Sequence, residues 1–179
     1  NLQVNRQNIL VSINKDHLNQ MHIATKSSKI DISSEQKTEI ISKKFSKYLK
    51  KGDIIFLLGE IGVGKTTFIK YLINHLQIKN NLIKTEVPSP TFNILNEYEI
   101  NGLIIHHYDL FKLKDSNEIK NIGLFENYSS IITFVEWPEI IEKKPKKNTY
   151  LLFNYEDNFS KRSLTISSTY KKELIDEFK

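Results

Sequence analysis

Along most of the chain, hydrophobic and polar residues fall into short blocks that predict alternating helices and strands. Ser33 or Ser34 is a candidate helix N-cap, and apolar side chains follow at helical spacing from Ile40 to Leu49. The Lys-Lys-Gly that comes next is typical of a helix end. Residues 53–58 form a short apolar run, which is typical of a strand buried on both faces of a parallel sheet. A glycine-rich turn and a second apolar-periodic segment, 66–76, come next. This order of strand, loop and helix predicts an α/β fold with a parallel core.

The rest of the chain is richer in predicted strands, including a short one at 29–33, ahead of the first helix. The later elements are strands at 92–100, 103–109 and 131–136, a helix at 116–128 broken at Gly123, a hairpin of 149–155 and 163–167, and a closing helix at 170–178. Together they predict a mixed, mainly parallel sheet with antiparallel strands toward the C-terminus.

Residues 1–29 are polar and lack a clear period, so we expect a flexible N-terminal extension followed by one domain over residues 30–179. A chain of 179 residues is long enough for one domain with a sizeable core. The extension does not have the features of a signal peptide, because its apolar stretch, residues 9–13, is too short. No segment approaches the roughly 20 apolar residues that cross a membrane. We therefore expect a cytoplasmic protein that does not engage a membrane.

The absence of cysteine excludes a disulfide scaffold, thiolate metal sites and a cysteine nucleophile. The formal net charge of +5 suggests nucleic-acid binding, but 24 of the 26 basic residues are lysines. A surface built to grip phosphate is expected to use more arginine, whose fork binds phosphate bidentately. Lysine, isoleucine and asparagine are also the residues that AT-rich coding favours. We therefore favour solvated lysines over a basic binding face.

The strongest chemical signal is residues 59–66, Gly-Glu-Ile-Gly-Val-Gly-Lys-Thr, which match the Walker A pattern G-x-x-x-x-G-K-S/T. The context is right, because a predicted buried strand precedes the motif and a helix follows it. Glycines let the backbone N–H groups wrap a phosphate, Lys65 can reach the β- and γ-phosphates, and the Thr66 hydroxyl can ligate Mg²⁺. The expected nucleotide contacts in this segment are Ile61, Gly62, Val63, Gly64, Lys65, Thr66 and Thr67.

A phosphate-loop enzyme also needs a carboxylate near the metal or the attacking water. Asp109 and Glu136 each end an apolar β-run, and ligands of open α/β sheets bind outside the carboxyl ends of the strands. Either acid can instead cap the next element. Spacing alone does not separate their roles, so both are candidate catalytic residues together with Lys65.

Three other features lie near these acids. The stiff segment 88–92 carries two hydroxyls where nucleotide hydrolases often have a switch loop, although a plain connection into a strand explains it equally well. His106 and His107 are adjacent on a predicted strand, so they point to opposite faces and cannot chelate one ion. Trp137 directly follows Glu136, and a core position is the commoner fate of a single tryptophan.

The sequence also bears on the choice of nucleotide and on the rate of turnover. No Asn-Lys-x-Asp motif is present, which favours ATP over GTP. Arg6 and Arg162 are the only arginines that can act as a finger in cis. Strong catalysis is therefore expected to need help from a lysine or from a partner.

Four blocks in this order resemble the TsaE family, the bacterial ATPases of tRNA threonylcarbamoyladenosine biosynthesis. The blocks are the phosphate loop with Thr67 and Phe68, Ser89-Pro90-Thr91-Phe92, His107-Tyr108-Asp109-Leu110-Phe111-Lys112-Leu113, and Glu136-Trp137-Pro138-Glu139. The resemblance runs from about Ile30 to the C-terminus. It implies a three-layer P-loop NTPase-like fold and an ATPase that supports the TsaB–TsaD pair. That pair modifies the adenosine next to the tRNA anticodon, so contact with tRNA is expected to be indirect.

The resemblance also implies roles for single residues. Thr66 and Glu136 would bind Mg²⁺, Asp109 would be the second catalytic acid, and Thr38 would lie near the adenine of ATP. Arg162, in the C-terminal hairpin, is better placed to contact the base than the γ-phosphate. The chain departs from the family pattern at two places. Glu60 replaces the usual Asp, and Phe111-Lys112 replaces the usual Tyr-Arg.

Two other functions remain open at this stage. A small-molecule P-loop kinase is the main alternative, although such kinases usually carry an arginine-rich lid and this chain has two arginines. A nucleotide-binding adaptor without turnover is the other, and the presence of both Asp109 and Glu136 argues against it.

Overall fold

A computed structural model describes residues 24–179 of the chain. The strands are β1 (Thr25–Lys26), β2 (Ile30–Asp31), β3 (Ile54–Leu58), β4 (Leu95–Ile100), β5 (Leu103–Asp109), β6 (Ile132–Glu136), β7 (Thr149–Glu156) and β8 (Lys161–Ser168). The helices are α1 (Glu35–Ser46), α2 (Lys65–Lys79), α3 (Ser116–Asn121) and α4 (Lys172–Glu177), with 3-10 turns at Tyr128–Ser130 and Pro138–Ile140.

The strands form one mixed sheet in the order β1-β8-β7-β3-β6-β5-β4, and β2 also pairs with β8. The four central strands β7, β3, β6 and β5 are parallel. The outer pairs β7–β8 and β4–β5 are antiparallel. The predicted α/β class with a mainly parallel core is confirmed. Antiparallel pairing is not limited to the C-terminal side, because Asn101-Gly102, both at positive φ, turn β4 directly into β5.

Hydrophobic side chains are buried on both faces of the sheet, so the molecule has three layers. On one face, Ile55 and Leu57 of β3 pack against α1, α2 and α4. On the other face, Phe56 of β3 packs against side chains of the β5–β6 and β6–β7 connections. Helix α3 lies in the first of these connections. The fully buried β3 strand confirms the interpretation of the apolar run 53–58. Two buried faces hold the strand ends in place, and these strand ends carry the candidate chemistry.

Helix bounds differ from the predicted ones mainly at their C-terminal ends. Ser34 is the N-cap of α1 and accepts a hydrogen bond from the Lys37 amide at 3.2 Å, as predicted. Helix α1 stops at Ser46, three residues before the predicted end, whereas α2 continues to Lys79. The predicted 116–128 helix is only α3, and Gly123 lies beyond it with a φ of 61°. The end of a helix depends on its packing as much as on its side-chain period.

The predicted N-terminal extension falls mostly on residues 1–23, which lie outside the described residues. Within the described part, Thr25–Lys26 already pairs with β8. The division at residue 30 stays a prediction. Between residues 24 and 179, no helix has the length and apolar character needed to cross a membrane.

Lys144 is a partly buried cation under the second face of the sheet. Its Nζ donates to the Ile141 carbonyl at 2.7 Å and lies 6.0 Å from the centre of the Phe56 ring. Burial lowers the pKa of the Lys144 ammonium from 10.5 to about 8, and Glu139 opposes this shift. The folded state therefore loses this proton at a lower pH than the unfolded state does.

This shift predicts a pH dependence of stability with a definite sign. Between about pH 8 and pH 10.5 the unfolded chain binds more protons at Lys144, so the free energy of unfolding rises with pH. Over this window the free energy of unfolding of the wild type should rise by up to about 3 kcal/mol relative to that of K144M. Urea unfolding of both proteins at pH 7 and pH 10.5 measures the difference. A wild-type-minus-variant difference that is constant with pH would contradict the prediction.

Candidate active site

The glycine-rich turn 59–64 connects the end of β3 to the start of α2. Gly59 has a φ of 139°, and a Cβ there would lie 2.5 Å from the Phe153 carbonyl oxygen, so no side chain fits. Gly64 is the N-cap of α2 in the left-handed region, and no side chain caps the helix. The first amides of a helix have no intrahelical partner. The turn and the positive end of the helix dipole therefore form a cradle suited to a phosphate.

Lys65 lies under this turn and is only 4% exposed. Its Nζ donates to the carbonyl oxygens of Gly59 at 2.7 Å and Glu60 at 2.9 Å. Burial lowers the pKa of the Lys65 ammonium, and nearby carboxylates oppose that shift. The opposing carboxylates are those of Glu136, Glu139, Asp109 and Glu60. Lys65 therefore brings a desolvated positive charge to the same place as the open amides.

Trp137 covers the Lys65 ammonium, which lies 4.1 Å from the centre of a ring of the indole. Trp137 has a φ of 58°, an uncommon conformation for a large residue, and Pro138 follows it in a 3-10 turn. Its ring is also 5.0 Å from the ring of Phe111. Trp137 packs partly on the second core, as expected for a tryptophan, yet it also forms a wall of the site. This second role was not predicted from the sequence.

Thr66 and Glu136 meet although they are 70 positions apart in the chain. The Thr66 hydroxyl donates to Glu136 Oε1 at 2.7 Å, and His107 Nε2 lies 2.9 Å from the same oxygen. Glu136 is 3% exposed and His107 is fully buried. His106 points to the other face of β5, toward Glu97, as the alternation of a strand requires. The two adjacent histidines therefore point to opposite faces of the sheet, as predicted, and His107 is the one beside Glu136.

Asp109 lies beside Glu136 in the register of β5 and β6. Its Oδ2 accepts from Thr91 Oγ1 at 2.6 Å and from Ser89 Oγ at 3.0 Å. Its Oδ1 accepts from the Phe111 amide at 2.9 Å. The segment 88–92 is thus more than a connection into β4, because its two hydroxyls are tied to a strand-end acid. Asp109 combines a loop-anchoring role with a position next to the phosphate cradle.

The donor set at this edge fits Mg²⁺. Hard oxygen ligands, here a hydroxyl and a carboxylate, suit Mg²⁺, which usually keeps several waters and takes one or two carboxylates plus phosphate oxygens. Within the described part of the chain, no group of three or more His, Cys, Asp or Glu side chains is arranged to hold a metal by itself. A metal at Thr66 and Glu136 would therefore depend on a bound phosphate for the rest of its ligands.

Tyr155 and Arg162 form a second contact with the phosphate loop. Tyr155 in β7 donates its hydroxyl hydrogen to the Ile61 carbonyl at 3.2 Å, and the Arg162 guanidinium lies 5.7 Å from the Tyr155 ring. Arg162 Nε is buried and has no hydrogen-bond partner among residues 24–179. Thr38 is buried, and its hydroxyl donates to the Ser34 carbonyl at 3.1 Å. Tyr155 was not among the candidate residues predicted from the sequence.

The structure thus brings Lys65, Thr66, Asp109 and Glu136 to one edge of the sheet. Arg162 is linked to the loop through Tyr155, whose hydroxyl contacts the Ile61 carbonyl. Arg6 falls outside the described residues. The backbone segment Ile32–Ser33 connects Thr38 to Arg162, because the Ile32 amide donates to the Arg162 carbonyl at 3.0 Å and Thr38 Oγ1 lies 3.4 Å from the Ile32 carbonyl. Lys112 stands in place of the arginine of the Tyr-Arg pattern. Its ammonium lies 3.5 Å from the centre of the Phe92 ring, and Phe92 is 86% exposed.

Comparison with known proteins gives a consistent result. The family described as threonylcarbamoyl adenosine biosynthesis protein TsaE matches residues 32–164. Several curated relatives carry the name tRNA threonylcarbamoyladenosine biosynthesis protein TsaE. The one from Rickettsia felis is 37% identical over 111 residues, which cover 62% of this chain and 63% of that protein. The one from Rickettsia bellii is 40% identical over 111 residues, which cover 62% of this chain and 74% of that protein.

A solved structure shares the fold. The crystal structure of Bacillus subtilis YdiB superposes with a TM-score of 0.67 at 24% sequence identity. The superposition covers 87% of this chain and 95% of that chain. This likeness establishes the architecture and leaves the chemistry to the residues described above.

Proposed function

The chain belongs to the TsaE family of threonylcarbamoyl adenosine biosynthesis proteins, and we propose that it is an Mg²⁺-dependent ATPase within that pathway. The reaction is hydrolysis of ATP to ADP and phosphate. The observation that carries the proposal is the 2.7 Å contact between the phosphate-loop hydroxyl of Thr66 and the strand-end carboxylate of Glu136. A phosphate-loop hydroxyl beside a strand-end acid is the arrangement that P-loop NTPases use to hold Mg²⁺.

Each residue at the edge of the sheet has a definite task in this proposal. The amides of Ile61, Gly62, Val63 and Gly64 would surround the β-phosphate, and Lys65 would bridge the β- and γ-phosphates. Thr66 and Glu136 would hold Mg²⁺, which supplies charge neutralisation to the phosphates when bound. Asp109 would orient a water for attack, and the hydroxyls of the 88–92 segment would keep its carboxylate in place.

The region of Tyr155 and Arg162 beside the phosphate loop would receive the nucleoside. Thr67 lies in the first turn of α2, and the Thr38 hydroxyl contacts the Ile32 carbonyl. The Arg162 guanidinium, held over the Tyr155 ring, offers a flat cationic surface on which a base can stack. The buried Nε of Arg162 lacks a partner among the residues that the structure describes, which supports a ligand contact there.

The biological role in the proposal is support of the TsaB–TsaD complex, which makes tRNA N6-threonylcarbamoyladenosine next to the anticodon. Contact with tRNA would be indirect, through that complex, and the setting would be the cytoplasm. Arg162 is the single arginine of the described residues, and its guanidinium lies 5.7 Å from the centre of the Tyr155 ring, where the proposal assigns it to the base. The site therefore has no arginine finger of its own in this part of the chain.

We expect slow ATP turnover by the protein alone and faster turnover with the TsaB–TsaD pair. A supplied finger is worth about 10³–10⁵ in rate for this chemistry, so a partner surface has room for a large effect. Steady-state phosphate release, with and without the purified pair at equal Mg²⁺ and salt, measures it. The pair with K65A is the control for contaminating ATPase.

Two results would contradict the proposal. Fast turnover by the isolated protein that the pair does not change would contradict the partnership. Transfer of phosphate to a small hydroxylated acceptor would favour the kinase alternative in its place.

A further inference from the structure

We propose that His107 is a positioning residue that sets the orientation of the Glu136 carboxylate for Mg²⁺. The inference rests on the proposed function, since the metal and the nucleotide are part of it. It concerns a residue to which the proposed mechanism gives no task. The adjacent His106 offers a natural internal comparison.

The Glu136 carboxylate is held at one of its two oxygens. Its Oε1 accepts a hydrogen bond from Thr66 Oγ1 at 2.7 Å, and His107 Nε2 lies 2.9 Å from the same oxygen. Oε2 receives no hydrogen bond from the described residues. Two contacts that approach one oxygen from different elements restrict the rotation of the carboxyl group. The other oxygen then keeps a fixed direction for the metal or one of its waters.

Burial of the imidazole determines which ring nitrogen carries the proton. His107 is fully buried, and its Nδ1 has no hydrogen-bond partner among residues 24–179. A proton on Nδ1 would be an unmet buried donor, and it would leave the Nε2 lone pair against a carboxylate oxygen. The Nε2–H tautomer avoids both costs. The geometry therefore indicates an imidazole that donates to Glu136 and makes no other hydrogen bond within the described chain.

The two strands that carry His107 and Glu136 form a rigid frame. His107 lies in β5 opposite Phe134, and Glu136 follows two positions later in β6 on the same face of the sheet. Both strands are inside the parallel core, and the side chains around them are buried. The imidazole ring thus cannot move away from the carboxylate without disturbing the core. Partners that orient a metal ligand commonly change metal affinity or activity by about 10–100-fold when they are lost.

His106 provides a matched control. It is in the same strand and contacts a carboxylate at almost the same distance, Glu97 Oε2 at 2.8 Å. It lies on the opposite face, at the edge pair β4–β5, away from the phosphate loop. A general effect of losing a histidine–carboxylate contact from β5 would be seen equally in H106L and H107L.

The test is an Mg²⁺ titration of nucleotide binding, read with a fluorescent ATP analogue, for the wild type, H107L, H107Q and H106L. We expect H107L to weaken Mg²⁺ binding by about 10–100-fold and to leave nucleotide binding in EDTA unchanged. Glutamine presents an amide donor at nearly the reach of Nε2, so H107Q should recover much of the loss. H106L should match the wild type in both measurements. A merely structural role of His107 would instead weaken nucleotide binding with and without the metal.

A second measurement does not depend on the variants. The ¹⁵N chemical shifts and couplings of the His107 ring in the wild-type protein distinguish the two tautomers, and we expect Nε2–H. The Nδ1–H tautomer would overturn the inference even if H107L fails to fold. An H107L protein with wild-type Mg²⁺ affinity would overturn it alone, whereas a wild type that binds no Mg²⁺ with the nucleotide would overturn the proposed function as well.

Discussion

K65A is expected to lower the rate of ATP hydrolysis by about 10²-fold or more while the protein stays folded. Lys65 is the buried cation of the phosphate cradle, and its Nζ is tied to the carbonyls of Gly59 and Glu60. Loss of a preorganised charge of this kind typically costs about 10²–10³ in turnover. Burial already disfavours the charged form of Lys65, as the lowered pKa shows. Alanine removes that cost together with two hydrogen bonds, so we expect the free energy of unfolding to change by only about 1 kcal/mol.

Phosphate release and urea unfolding of the purified variant test this expectation. K70A is the matched control, because Lys70 is an exposed lysine on the same helix, and its ammonium lies 5.9 Å from the Tyr71 ring. The control should keep wild-type turnover. T66A should also lose hydrolysis, because the hydroxyl that contacts Glu136 is then missing. Near-normal turnover of K65A or T66A would show that the phosphate loop is not the catalytic centre.

E136Q is expected to lose Mg²⁺-dependent turnover by about 10²-fold or more while ATP binding changes little. Glutamine keeps an oxygen that can accept from Thr66 and His107, so the local hydrogen bonds and the fold should survive. It replaces the negative charge that the metal needs with a neutral amide. The phosphate-loop amides and Lys65, which would hold the phosphates, are unchanged. Turnover as a function of Mg²⁺, measured beside equilibrium ATP binding, separates the two effects.

D109N, a change in the neighbouring strand-end acid, is the comparison for E136Q. The Asp109 carboxylate accepts from Ser89, Thr91 and the Phe111 amide, so its replacement disturbs the 88–92 segment as well as the chemistry. We expect lower turnover whose Mg²⁺ dependence stays close to that of the wild type. Equal loss of ATP binding and turnover in E136Q would show that Glu136 is structural.

Much of the site was predictable because its signals are local. Residues 59–66 are contiguous, so a turn with glycines at 59, 62 and 64 and a lysine at 65 can be identified from spacing alone. Asp109 and Glu136 were predictable for a different reason. Each ends an apolar strand, and the carboxyl ends of parallel strands meet at one edge of a sheet. Their side-by-side register in β5 and β6 agrees with this expectation.

Other features depend on contacts between distant segments. The pairing of β4 with β5 put antiparallel strands at both edges of the sheet, although the sequence analysis placed them only toward the C-terminus. Trp137 stands over Lys65, 72 positions away, and Tyr155 reaches the Ile61 carbonyl across 94 positions. No spacing rule connects such residues, because their proximity depends on strand order.

The sequence by itself determined the α/β class, the parallel core, the phosphate loop and the two strand-end acids. Helix and strand periods, glycine conformations and apolar runs act over a few residues, so they are written in the local order of the chain. The tertiary structure alone decided which hydroxyls tie Asp109, which ring covers Lys65 and how Glu136 is oriented by Thr66 and His107. These contacts form only when β3, β5, β6 and α2 pack together, since burial and strand register bring distant polar groups within hydrogen-bond distance.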